Sequence, residues 1–301
     1  MEQLETLARH MNAIAGISNV VRTMKTLSAV NIPSAERAAD AISIMRETVL
    51  DGLHVALRGL PAPAPGRAAE PARNVLILYG SDHGLCGGFC DRLAEAARDD
   101  GGVRDVFAIG ARAESALAVQ RIVPRATFQS VASVDGLRGL AAELLVAVDA
   151  TRTEIGANAG LTLLYNQRSP GGQIDVVRQP LLPLSASFIA DIQARPWPGE
   201  GLPVSLVDEN ALLRFLVRQY VFVEVFRAGA ASLAAEHAAR LALMTQAERA
   251  LDERLEAAQA AYRRARQGQI TDELLDLIGG FEALAVDDHA QSAQASEGWG
   301  R

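Results

Sequence analysis

The sequence predicts an α/β fold combined with a long antiparallel coiled coil, in which two long terminal helices flank a Rossmann-like α/β domain. Three observations carry this expectation. Apolar residues recur every three or four positions from Leu4 to Leu27. Short Val, Ile and Leu runs alternate with helical stretches between 74 and about 185. No proline follows Pro203, so the last third can run as one helix.

The N-terminal helix is expected over 1–58, with a stripe of Leu4, Leu7, Met11, Ile14, Ile17, Val21, Met24 and Leu27. Pro33 removes one backbone donor, which predicts a kink or break near 29–32. The cluster "LPAPAPGRAAEPA" reads as a linker over 59–73, since it neither propagates a helix nor supplies large apolar groups. In the α/β domain, 74–205, the runs "NVLILYG", "VRDVFAIG", "LTLLYNQ" and "QIDVVRQPLL" are expected strands. The helical stretches between them imply βαβ units and a mainly parallel sheet covered on both faces.

From 206 to 286 Ala, Leu, Glu, Gln and Arg dominate, with Asp208 or Asn210 as candidate caps. About 75 residues at 1.5 Å each make a rod on the order of 110 Å. Its apolar stripe (Leu216, Tyr220, Val223, Leu233, Leu241, Met244, Leu251, Leu255, Tyr262) needs a partner, and the N-terminal helix is the obvious one. Ala234, Ala235, Ala238 and Ala239 would let the two backbones approach closely. The N-terminal helix covers only roughly 206–263 at the same rise. The overhang beyond carries Ile270, Leu274, Leu277, Ile278, Phe281 and Leu284, which calls for a partner with a socket. Residues 287–301 are expected to be a disordered tail.

Composition narrows the function classes. The 301 residues are 49% hydrophobic but only 5% aromatic, and the net charge of −7 argues against a general nucleic-acid binder. Cys86 and Cys90 make no disulfide framework, which fits a cytosolic chain. The N-terminus reads as neither a signal peptide nor a membrane span, and no stretch reaches about 18 uninterrupted apolar residues.

The stretch "YGSDHGLCGGFCDRL", 79–93, is the densest in chemistry. Its glycines at 80, 84, 87 and 88 miss the dinucleotide spacing, although Arg112 beyond the next strand would suit a 2′-phosphate. A Walker loop is excluded because Lys25, the only lysine, lies elsewhere. His83, Cys86 and Cys90 would align as metal ligands on a helix, but the glycines among them oppose that helix and a fourth ligand is lacking. No activating partner for a cysteine nucleophile is evident. The residues favour a strand-to-helix corner in which Ser81 or Asp82 caps backbone amides. No catalytic, cofactor or metal residue is assigned.

Four segments in order resemble one family. "SDHGLCGGF" at 81–89 is similar to the Ser-Asp-(Arg or Lys)-Gly-Leu-Cys-Gly-Gly turn of the gamma subunit of F-type ATP synthases. "NVVRTMKTLSAVNI" (19–32), "LAAEHAARLALM" (233–244) and "YRRARQGQITDELLDLIGG" (262–280) resemble that family's N-terminal, mid-helix and C-terminal signatures. The resemblance implies a central-stalk rotor that is itself no enzyme and holds no cofactor. Its partners would be the alpha and beta subunits of the catalytic head, three of each around the C-terminal tip, the epsilon subunit and the membrane c-ring. It would sit peripherally on the cytoplasmic face of the bacterial inner membrane.

By the same resemblance Met24 and Lys25 lie near the level of the catalytic loops, and Arg266, Gln267 and Thr271 hydrogen-bond those loops. Ile270, Leu274, Leu277 and Ile278 form a bearing surface, and Asp208 and Glu209 face the ring. The N-terminal helix is not basic, Pro33 is unexpected, "TQAERAL" follows the "ALM" run, Phe281 fills a usually small position, and the C-terminus extends further. These departures suggest a divergent or alternate-type member. The competing readings are a stand-alone nucleotide-binding α/β enzyme with a coiled-coil dimerisation arm, and a coiled-coil scaffold.

Overall fold

The computed structural model describes residues 2–58, 73–98, 104–156, 159–197, 201 and 207–297. The expected linker over 59–73 lies outside these residues except for Arg73. The elements run α1 (Glu2–Leu57), β1 (Asn74–Tyr79), α2 (Phe89–Arg98), β2 (Arg104–Ile109), α3 (Ala111–Val119), β3 (Ala126–Phe128), α4 (Val134–Ile155), β4 (Gly160–Arg168), β5 (Ile174–Leu182), α5 (Ala186–Gln193) and α6 (Glu209–Glu297). They divide into two compact units, one of residues 24–244 and one of 1–23 with 245–301.

In the larger unit the five strands are ordered β3-β2-β1-β4-β5, parallel except for the antiparallel pair β4 and β5. β1 is central, and its side chains alternate between two cores. Val75, Ile77 and Tyr79 join Phe107, Ile109, Leu161 and Leu163 under α4, under Val49, Leu50 and Leu53 of α1, and under Tyr220 to Ala228 of α6. Leu76 and Leu78 face Phe89, Leu93 and Ala97 of α2 and Ala113 and Leu117 of α3. The expected mainly parallel sheet with both faces covered is therefore present. β3 and α5 are additions, too short to give a periodic signal.

Within this unit α1 and α6 run antiparallel. Gly52 lies against Leu216, Arg46 bonds Glu224, and Ala35 packs with Ala230, Leu233 and Ala234. Of the four small residues expected to bring the two helices together, Ala234 does so, but Ala235 and Ala239 turn to the α2 and α3 core. The helix packs on the sheet domain as well as on its partner, so its faces are divided between them.

The break expected at 29–32 is absent, and α1 is one helix through Pro33. Ile32 and Ala35 are buried on either side, and Arg37 Nε donates to the Pro33 carbonyl at 3.1 Å. Packing holds together a helix that proline alone would weaken by about 3 kcal/mol. The tail expected from 287 is likewise helical to Glu297, because the helix-forming composition continues past 286.

In the smaller unit, Ile14, Ser18 and Val21 of α1 and Ala258 of α6 are buried. Arg22 spans the pair, with Nε 3.1 Å from Glu248 and Nη2 3.1 Å from Asp252. These exposed ion pairs contribute at most about 1 kcal/mol each, so the apolar seam carries this contact.

Buried polar groups concentrate on α6 in the larger unit. Glu224 is fully buried and bonded by Arg46, Gln179 and Arg227. Burial alone would raise its pKa, but Arg227, Arg46 and Gln179 outweigh burial and hold it below the usual carboxylate value. Just over three turns along, Glu236 pairs with Arg240 at 2.5 Å, and burial nonetheless pushes the Glu236 carboxyl up. The adjoining His237 is buried, with both ring nitrogens shielded from water. Burial pushes His237 from 6.5 to about 4, with Arg240 acting in the same direction and the Ala132 backbone opposing.

Two predictions follow from these placements. Gly110 has φ +94°, and an added Cβ would lie 2.3 Å from the Ser81 carbonyl carbon, so Gly110→Ala should cost about 3 kcal/mol or more in a urea titration. Gly139→Ala in α4, with nothing within 4 Å of the new methyl, should gain about 0.5–1 kcal/mol; equal effects at the two sites would contradict this account.

The second concerns pH. Because the folded His237 has the lower pKa, the unfolded chain takes up its proton first as pH falls. The stability from neutral His237 is complete above pH 6.5 and is lost between 6.5 and about 4, a loss of about 3 kcal/mol. Glu236, raised when folded, works in the opposite sense, while Asp82 and His83 line the same cavity. His237→Gln should flatten the stability profile from pH 7 to 4.5, and a variant profile parallel to the wild type would refute the assignment.

Candidate functional site

The corner after β1 is built from closures within the chain. Gly80 N–H donates to the Ile109 carbonyl at 3.0 Å, and a side chain at Gly80 would meet the Ala113 methyl at 2.4 Å. Asp82 turns both carboxylate oxygens onto backbone amides, Oδ1 accepting from Ala111 N–H and Oδ2 from Ser130 N–H, each at 2.8 Å. Its own amide donates to Ser130 Oγ at 3.2 Å. Arg112 N–H bonds the Ser81 carbonyl, while Ala113 and Glu114 bond the Gly110 carbonyl. The N-terminal amides of α3 are thus satisfied by the protein itself. Asp82 rather than Ser81 is the cap the sequence anticipated.

Cys86 and Cys90 are free and buried beside one hydroxyl, Ser81 Oγ, at 3.6 and 3.5 Å. Burial pushes both thiols up, with Ser81 offsetting this only in part, so neither is poised as a thiolate nucleophile. Among the described residues, no group of three or more His, Cys, Asp or Glu side chains is arranged to hold a metal.

The exposed end of α6 has a different character. Past the half-buried Tyr262, Ile270, Leu274, Leu275, Leu277 and Ile278 are between 48% and 61% exposed. Positions 270, 274, 277 and 278 share one helical face. Covering each would return about 1 kcal/mol, since full burial of such a side chain is worth about 1.5–3. Arg266, Gln267 and Thr271 lie exposed on the preceding turns. Thr271 Oγ1 donates to the Gln267 carbonyl at 2.9 Å, one turn back on the same helix. Leu275, not anticipated from sequence, widens the apolar face. The side chains of Phe281 and Leu284 lie outside the described residues.

The remaining sequence candidates are placed elsewhere. Met24 and Lys25 are half-buried on α1 in the other unit. Asp208 caps α6, its Oδ2 accepting from Ala211 N–H and its carbonyl from Leu212 N–H, both at 2.9 Å. Glu209 is exposed in the first turn, where a negative charge suits the helix dipole. The structure thus gathers Arg266, Gln267, Ile270, Thr271, Leu274, Leu277 and Ile278 into one surface and gives Asp208 a local structural task. Sequence reading missed the Glu224 cluster, although a lone acid inside the apolar run "YVFVEVF" was a visible signal.

With this geometry in place, similarity to known proteins points one way. A family model described as ATP synthase matches residues 3–284. The ATP synthase gamma chains of Brucella ovis and Brucella suis are each 26% identical over 297 residues, covering 94% of this chain and all of the relative. A chain from the Euglena gracilis mitochondrial ATP synthase, described as OSCP/F1/c-ring in rotational state 3, superposes with TM-score 0.65 at 15% identity, over 94% of this chain and 95% of that one. A chain from the rotor of the same organism's enzyme gives TM-score 0.59 at 14% identity, over 89% of this chain and 99% of that one. With long terminal helices around a mixed sheet and a family match across nearly its whole length, the chain belongs to the ATP synthase gamma-chain family.

Proposed function

We propose that this chain is the central-stalk rotor of an F-type ATP synthase, a non-catalytic subunit that couples ion passage through a membrane ring to ATP synthesis or hydrolysis in a catalytic head. The observation that carries the reading is the exposed apolar face at 270–278 on a helix whose family match extends to 284. Such a face in a single chain calls for a cover, and a sleeve of head subunits is a cover of the right chemistry. Ile270, Leu274, Leu277 and Ile278 are its bearing surface, with Arg266, Gln267 and Thr271 as the polar band on the preceding turns. Smooth apolar contact suits a bearing because it has no preferred bond direction.

Partners under this reading are the alpha and beta subunits of the head, the epsilon subunit and the c-ring. Met24 and Lys25 belong to the head-facing side of α1, and Glu209 to the ring-facing side. No described helix is long and apolar enough to cross a membrane. We place the subunit peripherally, on the cytoplasmic face of a bacterial inner membrane, held by its partners. The stand-alone enzyme reading gains nothing from the corner, where both thiols are buried and pushed above their ordinary pKa.

Purification of the tagged chain from its host in mild detergent, with mass spectrometry of co-eluting proteins, tests the assignment. Head and ring subunits should co-elute with an ATPase activity that the isolated chain lacks, and a chain recovered alone with its own turnover would refute it. Deleting residues after about 268 should weaken head assembly or coupling at least about tenfold, equivalent to about 1.4 kcal/mol, while the urea transition of the α/β domain is unchanged. Undiminished coupling in that truncation would remove the tip from the mechanism.

A further inference from the structure

The buried carboxylate of Glu224 stands where three elements meet. It receives Arg46 Nε from α1 at 2.6 Å, Gln179 Nε2 from β5 at 2.8 Å and Arg227 Nη2 from its own helix at 2.7 Å. Arg227 Nη2 also donates to Gln179 Oε1 at 2.9 Å, which closes a ring of bonds. The chain of charges continues outward, from Arg46 to Glu47 at 3.2 Å and from Arg195 to Glu47 at 2.6 Å and to Asp51 at 3.4 Å. One carboxylate therefore ties α1, α6 and the edge strand, and α1 in turn holds the segment after α5 through Glu47 and Asp51.

Stability alone does not account for it. Removing charges from water is costly, and replacing a buried ionic cluster with apolar groups of similar volume is often neutral or stabilising. What such a cluster supplies is direction. About two turns along from it, the α1 and α6 contact becomes alanine-rich, with Ala35, Ala38 and Ala39 packed with Ala230 and Ala234 beside Leu233 and Phe226. Small side chains bring backbones close but leave shallow ridges and grooves, and apolar contact is indifferent to small slides and rolls. The bonds to Glu224 are not indifferent, because each weakens steeply when its angle or length changes.

We propose that the Glu224 cluster is a rotational lock, which fixes the register of α1 on α6 and binds both to β5, so that helices and sheet turn as one body. This rests on the rotor reading for its purpose, but the lock itself is a property of the chain. Glu224 acts as a positioning residue, with Arg46, Gln179 and Arg227 as its partners.

The test uses the full chain. Arg46→Met, Glu224→Leu and Arg227→Met are combined, with Glu224→Gln as a milder variant. Spin labels replace the exposed Ile44 on α1 and Phe215 on α6, in a Cys86→Ser, Cys90→Ser background. The triple variant should melt within a few degrees of its parent, yet its inter-label distance distribution should broaden at least about twofold. Glu224→Gln should broaden it less.

In the assembled complex, ions pumped per ATP hydrolysed should fall at least about twofold with the triple variant, while hydrolysis and head association persist. A distance distribution as narrow as the parent's would overturn the lock, as would a triple variant that cannot fold, since the cluster would then be a requirement of the fold. Failure of the rotor reading would look different, because the unmutated chain would not co-elute with a head while the label result still held.

Discussion

The double burial of β1 is the constraint on which the larger unit depends. Val75 to Leu78 are all fully buried, so each face of the strand needs its own cover. The α2 and α3 helices close one face with small and medium side chains, as crossover helices of a parallel sheet do. The other face is closed by α4 together with Val49–Leu57 of α1 and Tyr220–Ala228 of α6. The domain-proximal stretches of the two terminal helices are thus recruited into the core of a domain encoded between them. Their meeting on the sheet is what sets two long helices antiparallel in that unit.

Once on the sheet, α6 divides its faces. Residues from Tyr220 to Ala228 serve the apolar core, Ala230 and Ala234 serve α1, and Ala235 with Ala239 serves the opposite core at the corner. A helix with so many neighbours has little solvent left for polar residues, which explains why Glu224, Glu236, His237 and Arg240 are all buried there. Two of these acids show opposite outcomes of the same physics. Glu224, with two arginines and an amide, stays ionised more readily than in water, while Glu236, with one arginine, does not.

Much of this is legible in the sequence. The runs that became β1, β2, β4 and β5 carry β-branched residues between helical stretches, and the stripe on α1 has the spacing of a buried face. The three residues of β3 are too few to alternate, and they pair only because β2 lies beside them. Pro33 misled because its cost is local while the compensation, the burial of Ile32 and Ala35, is tertiary. The apolar end of α6 was readable because exposure there follows from a simple mismatch of helix lengths. The Glu224 cluster was not, since Arg46 lies 178 residues away in sequence and Gln179 lies 45 away, distances over which no periodicity speaks.

Asp82 gives the corner a wider meaning. It sits in the turn after β1, yet its two oxygens close the amide of Ala111 at the start of the helix after β2 and the amide of Ser130 after β3. One side chain therefore staples the ends of three neighbouring parallel strands. A load applied to any one of those loops is shared with the other two, which suits a part that must carry torque without its strand ends parting.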